Sequence, residues 1–410
     1  MQGHTVPQTP RLRIGWNVPG TMTRLGLHMG MILAWCRYFP THLPDLVVAT
    51  SAGAILMSCC ITFDRAVLRR VRRVVKNLKR EQIYVMSKGL VNTGFLLVAA
   101  GGTLVITAVS AGSLGWFWAV IVLALAGLYA VARVRTSRLY HWPARLLIVA
   151  VAGVAAWRVS YGLPSAILFC AGLFMFELLL ERSLGVFLKE VGSPFDNTPL
   201  RKLLLDQDVP RMAFLAKTEL RILAADVEGP GPIWYSNHEP LMCDPQNPEH
   251  GEQFVDGILG SSALPGRFPL RRLRSKTPRD GEVWTDFPIE EFKGVADIVF
   301  RFDYWSPLQP GPSPKHWLAD LFQSFDVMRD HNTQEKMEKY ELQRHEDPSL
   351  PRVIPIRASK RLAAQIPELA VYSFKPGQLA RSIMLGMRII RENRDLIRRE
   401  LGIPNGDVVS

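Results

Sequence analysis

From Gly89 to Ala132 the chain runs for 44 positions without one charged residue. A straight helix of that length would be roughly 66 Å long, about twice the ~30 Å hydrocarbon core of a bilayer. The run therefore predicts a hairpin of two membrane spans, near 94–111 and 114–132, turning at Ser110-Ala111-Gly112-Ser113. A second apolar stretch, Leu146 to Leu180, is broken only by Arg158 and Glu177. It reads as two more spans, near 144–160 and 162–180, with a break at Tyr161-Gly162-Leu163-Pro164. One long tilted span or an interfacial hairpin is the alternative for this stretch.

Charge supports the same picture. The net charge is +12, and it is concentrated in two places. Arg65 to Leu90 holds nine Lys and Arg against Glu81, and Arg133 to Arg145 holds four Arg and no acid. Both places border the apolar runs, so anionic lipid headgroups, met by 65–88 and 133–145, are a better partner than nucleic acid. By the positive-inside rule both termini and the 133–145 loop face the cytoplasm. The expected placement is a multi-pass protein of the inner membrane. The segment Arg65–Lys88 alternates Val and Leu with Arg and Lys and is expected to lie as an amphipathic helix along the membrane face. Five scattered cysteines (Cys36, Cys59, Cys60, Cys170, Cys243) lack metal-type spacing and suit a reducing compartment. The polar first ten residues have no apolar h-region, so no cleaved signal is expected.

Either side of the apolar region the pattern is globular. Leu12–Trp16 and Leu46–Val48 read as strands, Leu25–Tyr38 and Ala52–Cys60 as helices. Further on, Leu220–Ala225 and Asp297–Phe302 read as buried strands. Phe254–Ser262, Trp317–Met328 and Leu379–Leu401 read as helices. Strands alternating with helices predict an α/β fold with a mainly parallel sheet.

One string in this pattern carries chemistry. Val47-Val48-Ala49-Thr50-Ser51-Ala52-Gly53 is a strand, a tight turn and a helix start, with a serine at the apex. In a G-x-S-x-G nucleophile elbow, small residues two before and two after the serine let a strained turn close. Here those positions are Ala49 and Gly53. The hydroxyl of Ser51 then sits at a helix N-terminus, where the Ala52 N–H can support an oxyanion. No Walker loop or dinucleotide fingerprint is present, and no cofactor is implied. His238, Glu239, Asp244 and His250 match no metal-ligand spacing.

The string resembles the elbow of the patatin-like phospholipases, and other motifs follow in the family's order. Arg24-Leu25-Gly26-Leu27-His28-Met29-Gly30 looks like the segment after its oxyanion loop. Leu223-Ala224-Ala225-Asp226 is similar to its next strand. Ser261-Ser262-Ala263-Leu264-Pro265-Gly266-Arg267-Phe268-Pro269 is similar to its S-s-A-i-P-g-x-F-P segment. Asp280-Gly281-Glu282-Val283-Trp284-Thr285-Asp286 looks like d-G-x-x-y-x-D. The resemblance covers 12–62 and 195–305, and the apolar insert lies outside it.

It implies a membrane-bound serine lipid acyl hydrolase that works through an acyl-enzyme. Ser51 is the implied nucleophile and Asp286 the implied base, in a dyad without histidine. Asp280 is the other candidate for the base: it holds the literal Asp-Gly pair, but the resemblance matches it to the earlier, non-catalytic d-G of the motif. Gly20 and Thr21 are the implied second oxyanion donors beside Ala52, and Arg24 orients that loop or a phosphate. The chain departs from the family at Gly20-Thr21-Met22-Thr23-Arg24, where a glycine-rich loop is expected, and at Phe287, a bulky ring beside Asp286. Those departures fit an inactive membrane scaffold or lipid-binding protein as the alternative, with a lipid transacylase as another. The implied fold is a patatin-like three-layer α/β domain. It is divided into 11–62 and 194–402 by an all-α transmembrane insert at 63–193, with a disordered N-terminus (1–10) and a tail (403–410).

Overall fold

The structure is a computed structural model. It describes residues 11–20, 25–86, 195–229, 231–239, 243–264, 268–269, 273, 276–285, 287–303, 317–363, 365 and 377–404. The chain divides into two compact units: Met1–Val85 with Asp196–Ser410, and Met86–Phe195. The four expected spans and the 133–145 loop lie outside the described residues.

Among the described residues no helix is long and apolar enough to cross a membrane. The longest of them, Trp317–Glu346, carries acidic and basic residues along its length. The expected all-α transmembrane insert is therefore not supported, and the finding argues against the multi-pass inner-membrane placement with a cytoplasmic catalytic domain. Neither is carried further.

The elements of the described residues follow in chain order. They begin with β1 (Ile14–Val18), α1 (Leu25–Tyr38), β2 (Leu46–Thr50), α2 (Ser51–Cys60), α3 (Arg65–Asn77), β3 (Val85–Met86), β4 (Phe195–Asp196), α4 (Thr198–Asp206) and α5 (Val209–Phe214). Then come β5 (Glu219–Asp226), β6 (Pro232–Ser236), α6 (Pro248–Ser261), β7 (Pro278–Asp280), β8 (Ile298–Arg301), α7 (Trp317–Glu346), β9 (Arg352–Pro355), α8 (Lys360–Ala363), α9 (Gln378–Glu392) and α10 (Arg394–Glu400).

The main sheet runs β6-β5-β2-β1-β8-β9, with β7 also paired to β5. The β5–β2, β2–β1, β1–β8 and β8–β9 pairs are parallel, and β6 and β7 run antiparallel to β5. The α/β class with a mostly parallel sheet stands. Strands buried on both faces need side chains that tolerate no water on either side, so they read as continuous runs rather than alternations. Both β1 and β2 are buried at every position.

Helices cover each face of the sheet. On one face Trp35 of α1 lies edge-on to Trp16 of β1 and Phe300 of β8, with centroids 5.0 and 4.8 Å apart. On the other face Leu46, Val48, Val299 and Val353 pack with Phe287, Phe292 and Tyr340 of α7. Gly15 leaves room for that layer, since a Cβ there would lie 2.6 Å from the Phe292 ring. Both flanks of the chain enter one sheet: β2 from before residue 86 pairs directly with β5 from after residue 195.

Helix α3 differs from its expectation. It stops at Asn77, where Leu78 turns extended, rather than continuing to Lys88. The Asp64 side chain caps its start by accepting the N–H of Ala66 and Val67. Its apolar face (Leu68, Val71, Val75) is buried against α1, α2 and α9, while Arg65, Arg69, Arg72, Arg73 and Lys76 are exposed. The expected helix Leu379–Leu401 is two helices. Asn393 divides them, its side-chain amide donating to the Ile389 and Arg357 carbonyls.

Candidate active site

Strand β2 ends at Thr50 and α2 starts on the next residue, so the chain reverses at Ser51 itself. Ser51 has φ of 49°, in the left-handed region that a residue with a Cβ seldom adopts. Such strain costs on the order of 1–3 kcal/mol and persists only where the surroundings enforce it. Three small residues allow the enforcement. A Cβ on Gly53 would lie 2.2 Å from the Val18 carbonyl oxygen, and one on Gly20 would lie 2.3 Å from both the Thr50 oxygen and the Ala52 nitrogen. Ala49 is wholly buried in β2. The structure thus brings Ser51, Ala49, Ala52, Gly53 and Gly20 to one turn. Thr21 and Arg24 lie outside the described residues.

The Ser51 hydroxyl donates to Oδ2 of Asp280 at 2.8 Å. Ser51 is 5% exposed and Asp280 is fully buried. Oδ1 of Asp280 accepts the Glu282 N–H at 3.0 Å, which fixes how the carboxylate is turned. Sheet register delivers the pair. Thr50 lies opposite Leu223 of β5, and the next residue of β5, Ala224, lies opposite Asp280 of β7. Gly281 is required at the turn after β7, because a Cβ there would lie 2.2 Å from the Leu223 carbonyl oxygen.

Among the described residues the partner of Ser51 is therefore Asp280, where the sequence led to Asp286. A serine hydroxyl has one proton to donate, and it is directed to Asp280. Asp286 lies outside the described residues. Phe287 does not crowd the base. It is fully buried in the core on the other face of the sheet, stacked edge-on to Tyr340 and lying under the Arg301 guanidinium.

Other reactive groups are otherwise employed. Burial pushes the Cys36 and Cys59 thiols up to about 12, so neither supplies a thiolate near neutrality. His238 contacts the Ala216 carbonyl through Nε2, and His250 accepts the Asp244 N–H. His28 is fully buried in α1. A cavity of about 660 Å³ lined by Arg301, Met337, Glu341, Val353 and Arg357 lies between α7 and β9, and neither Ser51 nor Asp280 lines it.

No family model matches the chain, and no curated protein matches it. Among solved structures it is similar to VipD from Legionella pneumophila. The identity is 12% and the TM-score 0.39, over 95% of this chain and 67% of that one. A likeness that weak carries no argument, so function is read from the residues of the site.

One residue of the site has no assigned part in the sequence reading. Ser261, at the end of α6, is fully buried, and its hydroxyl oxygen accepts the Ser51 N–H at 3.0 Å. The signal was the Ser261–Pro269 segment, whose likeness to the family named a motif without a role.

Proposed function

We propose that the protein is a serine hydrolase that cleaves a carboxylic ester of a lipid through Ser51, Asp280 and an acyl-enzyme. The observation that carries the reading is the 2.8 Å hydrogen bond from a strained elbow serine to a buried carboxylate. A hydroxyl alone is a weak nucleophile, and a base within hydrogen-bond reach activates it.

In this mechanism Ser51 Oγ attacks the ester carbonyl carbon while its proton passes to Asp280. The carbonyl oxygen becomes an oxyanion, held by the Ala52 N–H at the start of α2. The Ser51 N–H is engaged by Ser261 and is not a donor for it. Gly20 packs on the Ala52 backbone, and the second donation is assigned to Gly20 or to Thr21, the next residue in the chain. The tetrahedral intermediate collapses, and Asp280 returns the proton to the leaving alcohol. Water, deprotonated by Asp280, then attacks the acyl carbon. As the second tetrahedral intermediate collapses, Asp280 returns that proton to the departing Ser51 Oγ, which frees the acid and restores the enzyme.

A lipid substrate is supported by the motif resemblance and by α3, whose exposed arginines suit anionic headgroups. The inactive-scaffold reading loses its argument from Phe287, which is a core residue.

The test is labelling by a fluorophosphonate probe, which reacts only with an activated serine. The wild-type protein should label and Ser51→Ala should not. A folded wild-type protein that stays unlabelled, or equal labelling of both, removes the hydrolase reading.

A further inference from the structure

We infer that Ser261 is a positioning residue for this hydrolase, setting the reach between nucleophile and base; the inference rests on the Ser51–Asp280 reading above. Residues 261–263 leave the end of α6 and touch both members of the dyad. The Ser261 hydroxyl accepts the Ser51 N–H at 3.0 Å and donates its own proton to the Leu223 carbonyl at 2.5 Å. Two residues on, the Ala263 carbonyl accepts the Asp280 N–H at 3.2 Å. One short segment therefore holds the main chain of the nucleophile and the main chain of the base.

The hydroxyl is suited to this as few groups are. The first N–H groups of a helix have no partner inside it. Ser51 is the first residue of α2 and is buried, so its N–H needs an acceptor from elsewhere. Leu223 presents a carbonyl at the same place, which needs a donor. A serine hydroxyl accepts and donates at once and so joins the two. With its N–H fixed to a neighbour of Asp280, Ser51 is held in the left-handed conformation that aims Oγ at Oδ2. Removing the hydroxyl leaves the elbow free to relax toward an ordinary backbone conformation, which swings Oγ away from its base.

A misplacement of about 1 Å can cost about 100-fold in rate. The full-length protein is compared with Ser261→Ala, Ser261→Cys and Ser261→Thr. The readouts are the rate of fluorophosphonate labelling at Ser51 and steady-state hydrolysis of p-nitrophenyl butyrate. In Ser261→Ala and in the near-isosteric Ser261→Cys, labelling and kcat should fall about 100-fold with KM unchanged. Ser261→Thr, which keeps the hydroxyl, should recover most of the rate. Circular dichroism identifies the folded variants, and the cysteine variant is read alone if the alanine variant does not fold. Wild-type labelling and kcat in a folded alanine or cysteine variant overturn the inference while leaving the hydrolase reading intact. So does a threonine variant no faster than alanine. Absence of labelling in the wild type overturns the hydrolase reading itself, and this inference with it.

Discussion

Ser51 and Asp280 stand 229 positions apart in the chain and 2.8 Å apart at their oxygens. The first prediction follows from that bond. Asp280→Asn keeps the side chain's shape and removes the base, so kcat/KM for p-nitrophenyl butyrate should drop by about 10²–10⁴. Asp286→Asn should stay close to wild type. The reverse pattern would move the base back to Asp286.

Gly20 supplies the second. Its Cβ would meet backbone atoms of Thr50 and Ala52, and backbone cannot step aside as a flexible side chain can. Gly20→Ala should abolish labelling at Ser51 and destabilise the protein by about 1–3 kcal/mol, the usual cost of overpacking. Chemical denaturation and labelling on the same sample check both halves.

The third concerns acid. The Arg13 side chain bonds Asp297 at 2.7 Å and the Arg13 backbone N–H bonds it at 2.8 Å, joining the approach to β1 to the approach to β8. The Arg13 side-chain bond, ahead of its backbone bond and charge, holds the Asp297 carboxyl below its ordinary value of 3.8. A folded-state value below the unfolded one contributes stability that is fully present above the unfolded value. That stability is lost as pH falls through the lower, folded one. Asp297→Asn should thus be less stable than wild type at neutral pH, with the two converging in acid. Urea melts across pH 2–7 would show it, and a constant gap across that range would contradict it.

Helix α3 gives the fourth. Its apolar side is used inside the fold, so binding to a lipid surface there is electrostatic rather than insertive. The protein should bind phosphatidylglycerol vesicles at low salt, release at 1 M salt and ignore phosphatidylcholine vesicles. At about 1 kcal/mol per basic residue, replacing Arg69, Arg72 and Arg73 by Gln should weaken binding roughly 100-fold. Salt-independent binding, or a triple variant that binds normally, would exclude this face.

Much of the first unit was legible locally. Helix α1 spans Leu25–Tyr38 as its pattern predicts, and β1, β2, β5 and β8 fall within two residues of their expected bounds. The departures have local causes that pattern alone does not display. The basic helix was expected to Lys88 because Val and Leu continue to alternate with charge, yet a turn at Arg80–Gln82 and the strand at Val85 intervene. Phe287 looked like an obstacle because it follows Asp286 in sequence. Its ring belongs to a core shared with Tyr340, a neighbour 53 positions away that sequence proximity does not reveal.

The amino-acid sequence by itself determined the elbow: a buried strand, small residues at Ala49 and Gly53, a serine between them and a helix after. That string is read over a few neighbouring residues, although the contact that demands a glycine at position 53 is with the Val18 carbonyl of β1. Only the tertiary structure decided which carboxylate that serine meets. Asp280 and Asp286 are six positions apart in one motif, and both suit the chemistry. The choice was made by the antiparallel register of β7 on β5, which sets Asp280 opposite Ala224, and by a Gly281 turn small enough to close over Leu223. Strand register is a long-range packing outcome, and no local feature of either aspartate encodes it.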